Sequence, residues 1–376
     1  MEGDGPASSK PNAVIPMEPF AYNGLPTRVV FGSGTAANLK SEIERTPCRR
    51  AFVIGGPQQA ATVEAIAASL GDLAAGSFTG AAMHTPTDVT QTALERFRAC
   101  DADCTVAVGG GSATGLGKAI ALRADVMQFV LPTTYAGSEM TPILGETENG
   151  FKTTQRSNKV LPEVTIYDVD LTLTLPAALS VTSGMNAIAH AVEALYAQDR
   201  NPIISVMAEQ AIAALGRALP AIVVDPHDRK ARADALYGAW LCGMCLGSVG
   251  MALHHKLCHV LGGTFDLPHA ETHTVVLPHA LAYNAVAAPA ADEIVARVLG
   301  AGGDGASALF NLASSLSAPA SLRSLGMPEA GIDRAADLAV KNPYWNPRPL
   351  ARDAIRDLIA RAWAGEPPSA RARSSQ

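Results

Sequence analysis

Short apolar runs and longer segments with a helical repeat alternate along the first half of this chain. The short runs, rich in β-branched and aromatic residues, are Arg28–Phe31, Ala51–Ile54, Thr105–Val108, Gln128–Leu131 and Val164–Tyr167. Runs of this length and composition, with helical patterns between them, predict strands. Between them, apolar positions recur every three to four residues near Pro57–Leu70, Asp88–Ala99 and Ala113–Arg123, which predicts helices. Strand–helix alternation of this kind folds as a doubly wound parallel sheet. After Leu175-Pro176 the strand signals fade, and from Ala177 the chain is rich in Ala and Leu with a helical period. The expectation is an α/β domain over residues 20–175 and an all-α domain over 176–365, flanked by a disordered leader, 1–19, and a frayed tail, 366–376. A cleft between the two domains is the natural place for a ligand.

Length and composition narrow the class. A chain of 376 residues is long enough for two cores, and 48% apolar with 17% charged residues is the balance of a compact soluble enzyme. The net charge of −6 comes without any long basic run, so nucleic acid is not an expected partner. The first twelve residues are polar and lack the apolar centre of a signal peptide. The glycine-rich uncharged run Ala239–Leu253 has fifteen residues, short of the ~20 that a membrane span needs. Cys242 and Cys245 have CxxC spacing inside an apolar helical run, with no second such pair, and read as buried reduced thiols. A cytoplasmic location is expected.

Candidate chemistry sits at two loops and three histidine groups. The run Thr105–Val108 leads straight into Gly109-Gly110-Gly111-Ser112 before a helix start. Glycines there let backbone N–H groups approach a pyrophosphate at the positive end of the helix. The next strand ends in Pro132-Thr133-Thr134-Tyr135-Ala136-Gly137-Ser138. Two successive strands delivering glycine and hydroxyl loops fit a dinucleotide crevice, although neither Walker A nor GxGxxG spacing is present. In the second half, Asn186 and His190, His255 and His259, and His269 and His273 are each four apart. On helices each pair shares a face, so three paired polar faces can meet around one metal or acid–base site. His254 and Lys256 flank His255, but neighbours on a helix point ~100° apart, so the three cannot face one ligand together.

The segments GGGS, PTTYAGSE, SGMNAIAHAVEALY and HHKLCHVLGGTFDLPHAETH together resemble the iron-containing alcohol dehydrogenase family, and most closely its maleylacetate reductase branch, from about Phe20 to about Ala364. The resemblance implies an N-terminal dinucleotide-binding α/β domain followed by an α-helical catalytic domain, an architecture shared with dehydroquinate synthase. It implies NADH or NADPH as cofactor, held by Gly55, Gly56, Gly110, Gly111, Ser112, Thr133, Thr134 and Ser138, with Lys152 as the cofactor-side lysine ahead of Pro162 and Asp168. In the family an Asp and three His hold a divalent metal. Those positions fall on Asn186, His190, His255 and His269, and a further histidine beside the nicotinamide falls on His259. Two departures matter. Gly115 stands where the family has an Asp, and Gly56, beside Gly55 after a central strand, stands where an acidic residue binds the ribose hydroxyls. Without that carboxylate a 2′-phosphate is not repelled, so both cofactors are expected to work.

Asn186 decides the expected mechanism. An amide in place of a carboxylate removes a negative charge and leaves a weaker ligand, so no metal is expected; any metal retained would rest on His190, His255 and His269. Without a Lewis acid an isolated ketone is hard to reduce. Hydride addition to a conjugated enone instead leaves an enolate, which histidine or lysine donors can stabilise and protonate. The resemblance therefore implies reduction of the C=C of 4-oxohex-2-enedioate to 3-oxoadipate in aromatic-compound catabolism. His255 and His259 are assigned as proton donors and His190 as polarising the ketone. Asn186, His254, Lys256, His269 and His273 are assigned to substrate, with Lys256 or His254 on a carboxylate. The expected partners are the small dicarboxylate and a second copy in a homodimer, with no membrane. The alternative is a metal-dependent alcohol dehydrogenase acting on a ketone or aldehyde.

Overall fold

The α/β half is laid down in the order β1 (Arg28–Gly32), α1 (Leu39–Glu44), β2 (Ala51–Ile54), α2 (Ala60–Leu70), β3 (Ala74–Phe78), α3 (Thr87–Ala99), β4 (Cys104–Gly109), α4 (Gly111–Ala124), β5 (Met127–Pro132), β6 (Ile143–Glu148), β7 (Phe151–Arg156) and β8 (Val164–Asp168). This is a computed structural model that describes residues 19–149, 151–341 and 344–369; the leader as far as residue 18 and the tail from residue 370 lie outside the described residues. Six strands form one parallel sheet in the order β1-β8-β5-β4-β2-β3, while β6 and β7 pair as a separate antiparallel hairpin. Side-chain alternation explains the layers. Val53, Val106 and Leu131 face a cluster with Leu39, Ile43, Val63 and Leu70, and Phe52, Ile54, Ala107 and Val130 face one with Leu94, Phe97, Leu116 and Ile120. Each large side chain buried this way contributes roughly 1.5–3 kcal/mol.

From β2 the chain moves outward to the edge strand β3, then returns to place β4 on the other side of β2. The strand order therefore reverses between β2 and β4, and their carboxyl ends splay apart there, which is where such sheets bind ligands. The five strands expected from sequence are present to within two residues at each end. Three features of this half were not read from the sequence, the first being the six-residue helix α1. β3 is the edge strand Ala-Ala-Gly-Ser-Phe, whose small residues carry little strand preference. The β6–β7 hairpin is polar enough to read as loop. The segment expected as one helix from Pro57 opens with a 3-10 turn, Pro57–Gln59, before α2.

The helical half comprises α5 (Ala177–Leu195), α6 (Pro202–Val224), α7 (Arg229–Ser248), α8 (Leu253–Phe265), α9 (His269–Ala285), α10 (Pro289–Val298), α11 (Gly305–Ser315), α12 (Gly331–Val340) and α13 (Arg352–Ala364). From Ser180 to Leu195 nearly every residue of α5 is buried, as in a helix enclosed on all sides. Caps set several starts: the Asn201 side chain accepts from Ile204 N–H, and Asp228 accepts from Lys230 and Ala231 N–H. By length and composition α6 could cross a membrane, but Ile204, Ile212, Leu215, Leu219 and Ile222 sit in the core. α7 and α8 are bent by 94° at their junction, which turns the start of α8 toward α5. Arg232, fully buried on α7, ties the halves together by donating to Tyr135 Oη, Ser180 Oγ and the carbonyl oxygen of Leu175.

Candidate active site

A cavity of about 850 Å³ opens between the two halves. Its nucleotide-sized end is built by loops at the carboxyl edge of the sheet: Gly56 and Gln59 after β2, His84 and Thr85 after β3, Gly110 to Ser112 at the start of α4, and Thr134 and Ser138 after β5. Gly110 is the N-cap of α4, and no acidic side chain stands in the first turn, so the positive helix end faces the cavity unopposed. A Cβ on Gly110 would lie 2.8 Å from Thr134 Oγ1, so these two loops need glycine to come this close. The cradle fits a pyrophosphate. Gly55 and Thr133, expected to touch cofactor, stand behind the wall. A Cβ at Gly55 would lie 2.5 Å from Val63 Cγ2, and Thr133 N–H donates to the carbonyl oxygen of Gly109. Lys152 is in β7 opposite Thr147, with its side chain outside the described residues. Gly115 meets Thr85 so closely, 2.3 Å from a built Cβ to Oγ1, that no larger residue fits without moving the turn.

Lys118 was not singled out from sequence. Fully buried, it donates to the carbonyl oxygens of Ser138 and Thr141, both at 2.6 Å, to that of Ile143 at 2.9 Å and to Thr141 Oγ1 at 2.9 Å. It thereby staples α4 to the loop after β5. Burial lowers its pKa to about 7, against the pull of nearby Glu139. Burial likewise raises the Glu139 carboxyl, which accepts a hydrogen bond from Tyr167 Oη.

The catalytic end receives one polar face from each of α5, α8 and α9, as the fourfold spacing requires. Asn186 and His190 lie on α5, His254 to His259 on α8, and His269 and His273 on α9. Asn186 and His269 line the cavity. The rings of His190 and His255 are 5.0 Å apart, those of His255 and His273 5.1 Å, and those of His269 and His273 4.2 Å. His259 is exposed, its ring 6.4 Å from that of His255. Five buried atoms of this cluster have no partner: Asn186 Oδ1, His190 Nδ1, His254 Nδ1, His255 Nε2 and His273 Nε2. Burial, reinforced by the neighbouring histidines, holds the pKa of His190, His254 and His273 well below the usual range, so these rings are neutral.

Glu193, one turn beyond His190 and fully buried, organises this cluster and was missed by sequence reasoning. Its Oε2 accepts from His255 Nδ1 at 2.7 Å and from Ala252 N–H at 2.9 Å, and its Oε1 accepts from His254 N–H at 2.8 Å. A carboxylate only accepts, so Nδ1 of His255 carries a proton and Nε2 is left for the site. The available signal was a lone charge in an otherwise apolar helix.

Three substrate assignments need correcting. His254 has no exposed surface. Its Nε2 meets His273 Nδ1 at 2.9 Å and lies 3.8 Å from Cys258 Sγ. It is a neutral ring behind the site and cannot hold a carboxylate. Lys256 turns the other way, its ammonium 5.5 Å from the centre of the Tyr344 ring. The ~100° between helix neighbours sends all three side chains of the His254–Lys256 run in different directions. His273 is also fully buried, packed between His254 and His269.

A doubly wound nucleotide-binding sheet, a helical partner domain and a histidine-lined cleft between them define a nucleotide-dependent oxidoreductase. Residues 26–169 match the iron-containing alcohol dehydrogenase model and 180–363 the model of the Fe-containing alcohol dehydrogenase family, C-terminal. The chain belongs to the iron-containing alcohol dehydrogenase family. It is 56% identical over 352 residues to the maleylacetate reductase of a Rhizobium species, covering 94% of this chain and 100% of that one. It is also 56% identical over 349 residues to the maleylacetate reductase of Sphingobium indicum, covering 93% and 99%. The crystal structure of maleylacetate reductase from Agrobacterium tumefaciens superposes with a TM-score of 0.91 at 57% identity, covering 94% of this chain and 100% of that one.

The family name implies a divalent metal, and the residues at its four positions do not suit one. Asn186, His190, His255 and His269 offer no anionic ligand. Among the described residues, the groups whose donor atoms all lie within 4.8 Å are His254–Cys258–His273 and Cys48–Asp103–Cys104, and the trio His190, His255 and His269 is not one of them.

Proposed function

We propose that this enzyme reduces the conjugated C=C of maleylacetate, 4-oxohex-2-enedioate, to 3-oxoadipate with NADH or NADPH and without a resident metal. The observation that carries the reading is Asn186 in the wall of a nucleotide cavity, with the buried, unpartnered His190 Nδ1 and His255 Nε2 in the histidine cluster it belongs to and no carboxylate at those three positions. Relatives that are 56% identical over nearly their whole length and named for this activity support the substrate.

The reduced nicotinamide supplies the hydride. As charge moves onto the ketone oxygen, Asn186 and the neutral His190 polarise it through their N–H groups. His255, protonated on both nitrogens with Glu193 behind it as counter-charge, delivers its Nε2 proton to the enolate carbon beside the ketone, which leaves the neutral ring with Nδ1–H still on Glu193. Exposed His259 is the solvent-side member of the pair and resupplies the proton. His269, in the cavity wall, stands on the substrate side. Conjugation lets this set work where an isolated ketone would not, because an enolate is a weaker base than an alkoxide. The homodimer and the cytoplasmic location are parts of the same proposal, the first checked by sedimentation.

The test is loss of NADH absorbance with maleylacetate, with and without EDTA, on freshly purified protein. Equal rates are expected. No turnover overturns the substrate, and turnover abolished by EDTA and restored by a divalent cation overturns the metal-free site.

A further inference from the structure

At the amino ends of β2 and β4, across the sheet from the cleft, two cysteines lie together. Cys104 opens β4 with no exposed surface, and Cys48, three residues ahead of β2, is 4% exposed. With Asp103 they form a set in which the sulfurs and a carboxylate oxygen all lie within 4.8 Å. The two backbone segments are clamped. The Asp103 carboxylate accepts from Arg49 N–H at 2.7 Å and Arg50 N–H at 2.9 Å, and Asp103 N–H donates to the carbonyl oxygen of Arg50 at 2.9 Å. The Arg50 guanidinium adds bonds to the carbonyl oxygens of Cys100 and Asp101. The sulfurs are thus held face to face by main-chain bonds that do not depend on them.

A hydrogen bond from the Cys104 thiol lowers the pKa of Cys48 to about 7, and that bond together with burial raises the pKa of Cys104. A thiol with thiolate character beside a protonated partner is an attacking sulfur beside a resolving one. The proposed reaction does not use either. Gly110 at the start of α4 is six residues along the chain from Cys104, roughly 20 Å at 3.3 Å per residue.

Soft-metal binding and oxidation both use such a pair, and Asp103 decides between them. Both its oxygens are committed to backbone N–H groups, which leaves two sulfurs where a structural zinc takes four ligands. Oxidation needs only the sulfurs. We propose that Cys48 and Cys104 are a reversible dithiol–disulfide pair, closed by hydrogen peroxide and reopened by two equivalents of a small thiol, which leave as their own disulfide. Cys48 sulfur attacks one peroxide oxygen, the O–O bond breaks, and one water leaves with Cys48 as the sulfenic acid. Cys104 sulfur then attacks Cys48 sulfur, the S–O bond breaks, and a second water carries off the remaining thiol proton. Two thiols and one peroxide give one disulfide and two waters, the sulfurs losing the two electrons that the peroxide gains. The bond joins the entries of β2 and β4 and closes a loop holding β2, α2, β3 and α3, so it restrains the unfolded chain and leaves the distant cleft alone.

The test treats the full-length enzyme with hydrogen peroxide, blocks free thiols and maps tryptic peptides by mass. A Cys48–Cys104 cross-linked peptide, two hydrogens lighter than the reduced pair and lost on adding dithiothreitol, is expected. So are a Tm several degrees higher and an unchanged rate of NADH oxidation. Cys100 shares the tryptic peptide of Cys104, because no Lys or Arg falls between Arg98 and Lys118. Cys100→Ser must therefore still cross-link, while Cys48→Ser and Cys104→Ser must neither cross-link nor gain in Tm. A link through Cys100, sulfinic acid on Cys48 alone, thiols that react only after a chelator strips a metal, or no link at all would each overturn the proposal.

Discussion

Replacing Glu193 by Gln tests the mechanism at the residue that sequence reasoning overlooked. The shape is preserved, so the helix packing survives, but the carboxylate that now accepts from His255 Nδ1, Ala252 N–H and His254 N–H becomes half donor. The new NH₂ must face one of those N–H groups, leaving it unsatisfied at about 1–3 kcal/mol of stability. His255 suffers more. A charge pair about 4 Å apart at an effective dielectric of about 20 is worth about 4 kcal/mol, and the amide removes it from any imidazolium formed during turnover. With the NH₂ in the Oε2 place Nδ1 must accept from it, and with the NH₂ in the Oε1 place Nδ1–H faces a neutral oxygen; in both cases the counter-charge that supports an imidazolium is gone. Loss of such a donor costs about 2.7–4 kcal/mol in the transition state, so kcat should fall by roughly 10²–10³. KM for maleylacetate should move by less than about tenfold, since a donor used mainly in the transition state adds little to ground-state binding. Steady-state loss of NADH absorbance gives both constants, with circular dichroism establishing that the variant is folded. A folded Glu193→Gln enzyme that keeps kcat within about threefold would refute the role given to the Glu193–His255 pair.

Other outcomes follow from the same geometry. With Gly56 in place of a ribose-binding carboxylate, kcat/KM for NADPH should lie within about 10³ of that for NADH, a gap below ~4 kcal/mol; competition kinetics decides this. Gly243→Ala puts a Cβ 2.7 Å from the carbonyl oxygen of Gly137, which should cost about 1–3 kcal/mol and raise KM for NADH by displacing the loop after β5; an unchanged Tm and KM would contradict it. His190, His254 and His273 are held well below their ordinary pKa of 6.5, and His279 is lowered to about 4, in each case chiefly by burial. The unfolded chain takes up these protons as pH falls through about 6.5 and the folded one does not, so stability is intact above that value and lost below it. The slope reaches about 1.4 kcal/mol per pH unit for each ring. Tm that is flat between neutral and mildly acid pH would contradict the burial of these rings in neutral form.

What the chain settles on its own is local or periodic. Short runs rich in β-branched and aromatic residues gave four central strands, buried almost throughout, and the edge strand β1, which is only half-covered, because such residues fit a pleated strand wherever it lies in the sheet. The fourfold spacings gave three helical faces bearing Asn186, His190, His255, His259, His269 and His273, because one helical turn returns a side chain to the same side. The amide at Asn186 is likewise a property of sequence alone. Tertiary structure decided which of those groups meet. A stretch of backbone cannot announce that Glu193 on α5 will cap the start of α8 and fix the tautomer of His255, nor that His254 will turn inward onto His273 and Cys258 while Lys256 turns out to Tyr344. Those outcomes depend on the 94° bend between α7 and α8 and on how three helices cross. Contact between residues about sixty positions apart is set by the packing of whole elements, and no local pattern encodes it.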